Sequence, residues 1–185
     1  MENPMPSFIY PATAELKRAL RESTLKTDDN TEIHYQYAKQ PNNAELILFI
    51  HGYSEHSDCY LSIMSWFFQR GYHVASFDVR GHGLSSGERG FITHFKTYSS
   101  DLHQVITAIQ QQCQSRTINV LAHSNGGLLT CYYLLTHEKA HQPHRLILSA
   151  PYLGTHPNIL PIKPLQWLLT QATKLYPTLS LPKKS

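Results

Sequence analysis

Ser124 stands in the run Asn119-Val-Leu-Ala-His-Ser-Asn-Gly-Gly-Leu-Leu129, where a short apolar stretch ends on the serine and two glycines follow it. A serine hydroxyl attacks an acyl carbon when a base takes its proton and two donors receive the oxyanion that forms. The spacing predicts a strand that turns sharply at Ser124 into a helix, a strained elbow that exposes the hydroxyl at the top of a sheet, with Ala122, Gly126 and Gly127 allowing close approach. The first donor in such an elbow is the backbone N–H of the next residue, here Asn125. The second comes from the loop after an earlier strand. His51-Gly-Tyr-Ser-Glu-His-Ser57 follows the apolar run Leu46–Ile50, so Tyr53 is expected to present that N–H while Gly52 lets the backbone turn.

The base is harder to find. An elbow serine is followed in the chain by its carboxylate and then its histidine, yet Asn125 to Ser185 contains no Asp and only one Glu, Glu138. The downstream histidines are His137, His141, His144 and His156. The first three fall near the far end of the elbow helix or just before the next strand, which places them at the opposite edge of a sheet from Ser124. His123 reads as structural. A competing pattern, His137-Glu-Lys-Ala-His141, matches H-E-x-x-H, two zinc ligands one helical turn apart with Glu138 as base. It sits beside Gln142-Pro143, where a helix ends, and no third ligand stands nearby, so neither a metal nor an organic cofactor is expected. Asp78, Arg80 and His82 read as a polar network shaping a glycine-rich turn.

The elements that must position Ser124 follow from periodicity. Glu32 to Tyr37 alternates as a half-buried strand after the turn cluster Asp28-Asp29-Asn30, an opening hairpin. Leu46–Ile50 and Val74–Phe77 are continuously apolar, as strands covered on both faces are. Between them Leu61, Met64, Phe67 and Phe68 recur at helical spacing and Gly71 closes the helix. A helix around Tyr98–Gln112, a strand over Thr117–Ala122, a helix over Asn125–His137 and a strand over Arg145–Ala150 continue the alternation, which implies a doubly wound, mostly parallel α/β sheet. Three segments result: an arm over 1–24, the core over 25–150, and a Pro- and Leu-rich start of a lid over 151–185, in which Leu165, Leu168, Leu169, Ala172 and Leu175 share a helical face and Trp167 roofs an acyl pocket.

Three segments together, His51-Gly-Tyr-Ser-Glu-His-Ser57, Asp78-Val-Arg-Gly-His-Gly-Leu-Ser85 continuing to Gly87-Glu-Arg-Gly90, and His123-Ser-Asn-Gly-Gly127, resemble the monoacylglycerol lipase and lysophospholipase group of α/β-hydrolases, the serine aminopeptidase-like group. The resemblance covers roughly Thr24 to Ser185. It implies a Ser-Asp-His mechanism on acyl esters and a lid after the sixth strand. Ala122 stands where the group has Gly, and the group's last two strands, with the Asp and His carried after them, have no counterpart here. The expectation is therefore an incomplete α/β-hydrolase fold with Ser124 as nucleophile, Tyr53 and Asn125 as oxyanion donors, and little turnover on its own. A noncatalytic module that pairs through the Arg145–Ala150 edge is the alternative expectation.

Composition bounds the remaining choices. The 185 residues suit one domain, which buries roughly 70% of its unfolded surface. A net charge of +3 is spread rather than clustered, so nucleic acid is not expected as a partner. Cys59, Cys113 and Cys131 are odd in number and far apart, against a disulfide framework. The start Met-Glu-Asn-Pro-Met-Pro lacks a basic and an apolar leader region, and no run approaches the ~18 apolar residues of a membrane span. The expected location is cytoplasmic, with peripheral membrane contact through the lid, self-association through the bare edge, and a small acyl ester or monoacylglycerol-like substrate.

Overall fold

A computed structural model describes residues 12–154 and Gln171. The chain divides after Pro151 into two compact units. The first contains a six-stranded sheet, and the proposed lid face, Trp167 and His156 lie outside the described residues.

The strands are β1 (Leu20–Lys26), β2 (Glu32–Ala38), β3 (Leu46–Ile50), β4 (His73–Phe77), β5 (Ile118–His123) and β6 (Arg145–Ser149), in the order β1-β2-β4-β3-β5-β6. β1–β2 and β2–β4 pair antiparallel, while β4–β3, β3–β5 and β5–β6 pair parallel. Every residue of β3 and β4 is buried, the unbroken apolar run of β3 and, in β4, His73 and Ser76 along with Val74, Ala75 and Phe77. The alternation of a strand then divides the core in two. Leu46, Leu48 and Ile50 of β3 face one layer with helix α3 (Phe95–Cys113), and Ile47 and Phe49 face the other with helices α1 (Ala14–Ala19) and α2 (Leu61–Phe68). Helix α3 earns its place with Leu102, Val105, Ile106 and Ile109, the i, i+3, i+4, i+7 stripe that lies on the sheet. Gln114 ends it in the left-handed conformation at φ 54°.

Two boundaries differ from the sequence reading. Residues assigned to an arm are already core: Thr13 caps α1 through the Leu16 N–H, Leu16 is fully buried, and β1 starts at Leu20. Six residues are too few for a clear 3.6-residue period, which is why the helix is silent in the sequence. Helix α3 also begins three residues earlier than expected, at Phe95, where Phe95 packs edge-on against Tyr98 and Tyr132. The parallel strand β6 follows helix α4 (Ser124–Thr136) and pairs β5 in register, Ala122 opposite Leu148. Its apolar residues Leu146 and Ile147 are 38% and 52% exposed, and no strand covers its outer edge among the described residues.

Candidate active site

Because β4 and β5 lie on opposite sides of β3, the chain reverses direction across the sheet there, and the switch point beyond the carboxyl ends of β3 and β5 is where sheets of this kind place their ligands. Ser124 enters it directly from β5 as the first residue of α4, with φ +48°. A non-glycine residue held in that region carries about 1–3 kcal/mol of strain, which persists only where the surroundings over-determine it. Gly126 provides part of that constraint: a Cβ there would stand 2.5 Å from the His51 carbonyl oxygen and 2.6 Å from that of Ile50. The glycine thus seats the elbow against the end of β3, a neighbour that the local motif does not reveal.

The loop after β3 passes over the serine. A Cβ on Gly52 would lie 3.2 Å from Ser124 Cβ, 3.2 Å from His123 Cδ2 and 3.1 Å from Glu55 Oε2. Tyr53 and Asn125, the two expected donors, each directly follow a residue of this contact, Gly52 and Ser124. Asn125 is the second residue of α4, where an N–H has no intrahelical acceptor, and neither its N–H nor that of Tyr53 donates a hydrogen bond among the described residues. Nothing among the described residues hydrogen-bonds the Ser124 hydroxyl either. Tyr53 itself is 59% exposed, its ring edge-on to His82 at 5.5 Å and its hydroxyl donating to the Gly90 carbonyl at 3.4 Å.

The Asp78–His82 cluster is the polar network the sequence implied. Asp78 accepts from Ser57 N–H at 2.7 Å and Leu84 N–H at 2.8 Å, joining the loop after β3 to the loop after β4. Burial pushes its carboxyl up, but those N–H groups, the Ser57 hydroxyl and nearby His34 outweigh burial and hold it below the usual range. Arg80 forks onto Asp101 at 2.8 and 2.7 Å and reaches Asp29 at 2.7 Å, fixing the β1–β2 turn to α3.

The histidines downstream of Ser124 divide as their positions dictate. His137 follows the last residue of α4, a 13-residue helix and so about 20 Å from its start. The His144 N–H donates to Ile118 O at the beginning of β5, one strand length, again about 20 Å, from its end. His123 turns away to β6, with Nδ1 3.0 Å from the Ser149 carbonyl. The H-E-x-x-H reading fails on geometry: α4 ends at Thr136, so His137 and His141 do not share a helix face, and both rings stack on His103 at 4.3 and 4.8 Å. Among the described residues no group of three His, Cys, Asp or Glu side chains is placed to hold a metal ion.

Sequence reasoning left Glu55 and Tyr60 without a role at the site. Glu55 Oε2 accepts from Gly52 N–H at 2.7 Å and from the Tyr60 hydroxyl at 2.9 Å. The signal was present in the spacing, since a Glu three residues after the N–H it accepts is the reach of a capping box.

Comparisons with known proteins bear on the family and the fold. The model of the serine aminopeptidase S33 family matches residues 41–185. The chain is 29% identical over 130 residues to the Haemophilus influenzae protein named "Probable lysophospholipase L2", covering 68% of this chain and 41% of that one. It is 26% identical over 130 residues to the monoglyceride lipase of Rattus norvegicus, covering 70% and 42% respectively. A soluble variant of monoglyceride lipase from Saccharomyces cerevisiae, solved with a substrate analog, superimposes with a TM-score of 0.69 at 20% identity, over 94% of this chain and 56% of that one. The chain thus spans about two fifths of the length of the two curated relatives. With the elbow at Ser124, the strand order around it and a family model matched over well more than half its length, the chain belongs to the serine aminopeptidase S33 family of α/β-hydrolases.

Proposed function

We propose that this chain provides the nucleophile and the oxyanion hole of a serine hydrolase that cleaves carboxylic esters of the monoacylglycerol type. Ser124 Oγ would attack the ester carbonyl, and the N–H groups of Tyr53 and Asn125 would receive the oxygen as it gains charge. The observation that carries the reading is the juxtaposition of a left-handed Ser124 at φ +48° with the Gly52 loop, where a Cβ on Gly52 would stand 3.2 Å from Ser124 Cβ. The relatives named monoglyceride lipase and lysophospholipase supply the substrate class.

No base for the Ser124 proton lies among the described residues. Binding and oxyanion donors alone sustain about 10³–10⁴-fold catalysis over water where a triad is broken, so slow acylation is expected of this chain. The test is intact-mass kinetics with a fluorophosphonate probe. One adduct should form on Ser124, disappear in Ser124→Ala, and slow in the presence of a short-chain monoacylglycerol. Labelling that survives Ser124→Ala would remove Ser124 as nucleophile, and labelling indifferent to the ester would remove the substrate class. The noncatalytic alternative is disfavoured by the left-handed backbone held at Ser124, which pairing through an edge strand does not require.

A further inference from the structure

The two peptide groups that meet at Gly52 are each held. On one side the Gly52 carbonyl accepts from His51 Nδ1 at 2.7 Å and from the Glu55 N–H at 3.2 Å. The tautomer follows from the other ring nitrogen: His51 Nε2 accepts the Val79 N–H at 2.9 Å, so the proton is on Nδ1 and Nδ1 donates. In the preceding His51–Gly52 peptide the Gly52 N–H is taken by Glu55 Oε2 at 2.7 Å, and the Tyr60 hydroxyl steadies the same oxygen at 2.9 Å. In a trans peptide the C=O and the following N–H point in opposite directions. Fixing the Gly52 carbonyl therefore fixes the direction of the Tyr53 N–H.

We propose that Glu55 and His51 are positioning residues for the oxyanion hole, Glu55 holding the peptide before Gly52 and His51 the peptide after it, so that the Gly52 torsions are fixed and the Tyr53 N–H stays free and directed toward Ser124; this rests on the reading of Ser124 as nucleophile. The loop has few other restraints at this point. Ser54, the next residue, sits at φ +67°, so the backbone reverses at once, and the Tyr53 side chain is more than half exposed. Without the Glu55 carboxylate the preceding peptide is released, the backbone torsions at Gly52 loosen, and the Tyr53 N–H can turn to water. Burial keeps the His51 ring neutral against the pull of the Gly52 carbonyl. Burial likewise pushes the Glu55 carboxyl up, but Gly52 N–H, the Tyr60 hydroxyl, His123 and His51 together hold it below its ordinary range, so it is an anion whenever the site could act.

The experiment compares the full chain with Glu55→Ala and Glu55→Gln by amide NMR and by fluorophosphonate labelling of Ser124. In Glu55→Ala the Gly52 amide proton should lose its downfield position and exchange about tenfold faster or more. Labelling should slow about 10²-fold, the penalty for a reacting geometry misplaced by about 1 Å. Glu55→Gln keeps an oxygen that can accept from Gly52 and should recover most of both. An unchanged Gly52 resonance in Glu55→Ala overturns the clamp. So does a Glu55→Gln variant with native amide behaviour but no labelling, since Glu55 would then act on the chemistry itself. If the unmodified chain never labels at Ser124, the nucleophile assignment falls while the NMR comparison still decides whether Glu55 holds the loop.

Discussion

Replacing Arg80 with Met should destabilise the chain by about 3–5 kcal/mol, nearly all of it through Asp101. Arg80 makes two kinds of ion pair. The Asp101 side chain is 4% exposed and takes both oxygens of its carboxylate to the guanidinium, whereas Asp29 is 53% exposed. The exposed limb is worth about 0–1 kcal/mol, because water competes for both charges. The buried limb is different: removing the cation leaves a carboxylate desolvated without a partner. Burial already pushes the Asp101 carboxyl up against Arg80's pull. Without Arg80 it rises further, so the folded state holds a proton that the unfolded chain releases. Stability of Arg80→Met therefore falls as pH rises through the raised value, and its deficit relative to the parent widens from pH 4 to pH 7. Urea unfolding followed by circular dichroism measures this directly. A second change, Asp101→Asn, removes the stranded charge and should restore a large part of the loss. The reasoning is refuted if Arg80→Met costs under about 0.5 kcal/mol, or if the double variant is no more stable than Arg80→Met alone.

Three further outcomes are expected. Gly126→Ala drives a methyl group into the Ile50 and His51 carbonyl oxygens, backbone that cannot yield, so it should cost about 1–3 kcal/mol in unfolding and slow Ser124 labelling; an unchanged urea midpoint would contradict the close approach. His103 and His141 are both held below the ordinary histidine range, by burial first and then by His137, with Lys139 adding to His103. Their protonation opposes folding, so melting temperature should fall as pH drops through the ordinary histidine range, and the slope should shrink in His103→Asn. Cys113 is buried with its thiol pushed up to about 12, whereas Cys59 is exposed. Native-state alkylation followed by mass spectrometry should modify Cys59 first and reach Cys113 only in denaturant.

The fold and the sharp turn at Ser124 were legible because both rest on local pattern. Leu46–Ile50 declares itself by an unbroken apolar run, and the elbow by the small residues around Ser124. What was silent depends on partners distant in sequence. Arg80 meets Asp29 and Asp101 across 51 and 21 residues, and nothing about an Arg before Gly-His-Gly announces which carboxylates it will find. The role of Gly126 was visible as a need for space but not as an approach to the end of β3. The zinc pattern, already set aside for its helix end and missing third ligand, fails in the structure for a related reason. His137 and His141 have helical spacing in sequence, yet Thr136 ends the helix and the rings are drawn onto His103, a residue that no reading of the motif includes. Glu55 falls between these cases: its contact is only three residues away, but its meaning comes from the serine that arrives beneath the loop.

The strain at the elbow makes a prediction whose sign, not only its size, is diagnostic. In ordinary helical or extended backbone a Gly is less stable than an Ala by about 0.5–1 kcal/mol, because the unfolded Gly has more freedom to lose. At φ +48° an Ala instead pays about 1–2 kcal/mol for the clash of its Cβ with the following carbonyl, and Gly pays none. The two effects oppose, and the second is larger. Ser124→Gly should therefore be more stable than Ser124→Ala by about 1 kcal/mol, although both lack the hydroxyl and neither should label. Ser124→Ala keeps the parent's backbone penalty, so the Gly variant should also exceed the parent. Such a gain on deleting the nucleophile is what a site built at the expense of stability produces. A Gly variant less stable than the Ala variant would mean that Ser124 relaxes out of the left-handed region in solution, and the exposure of its hydroxyl above the sheet would lose its structural basis.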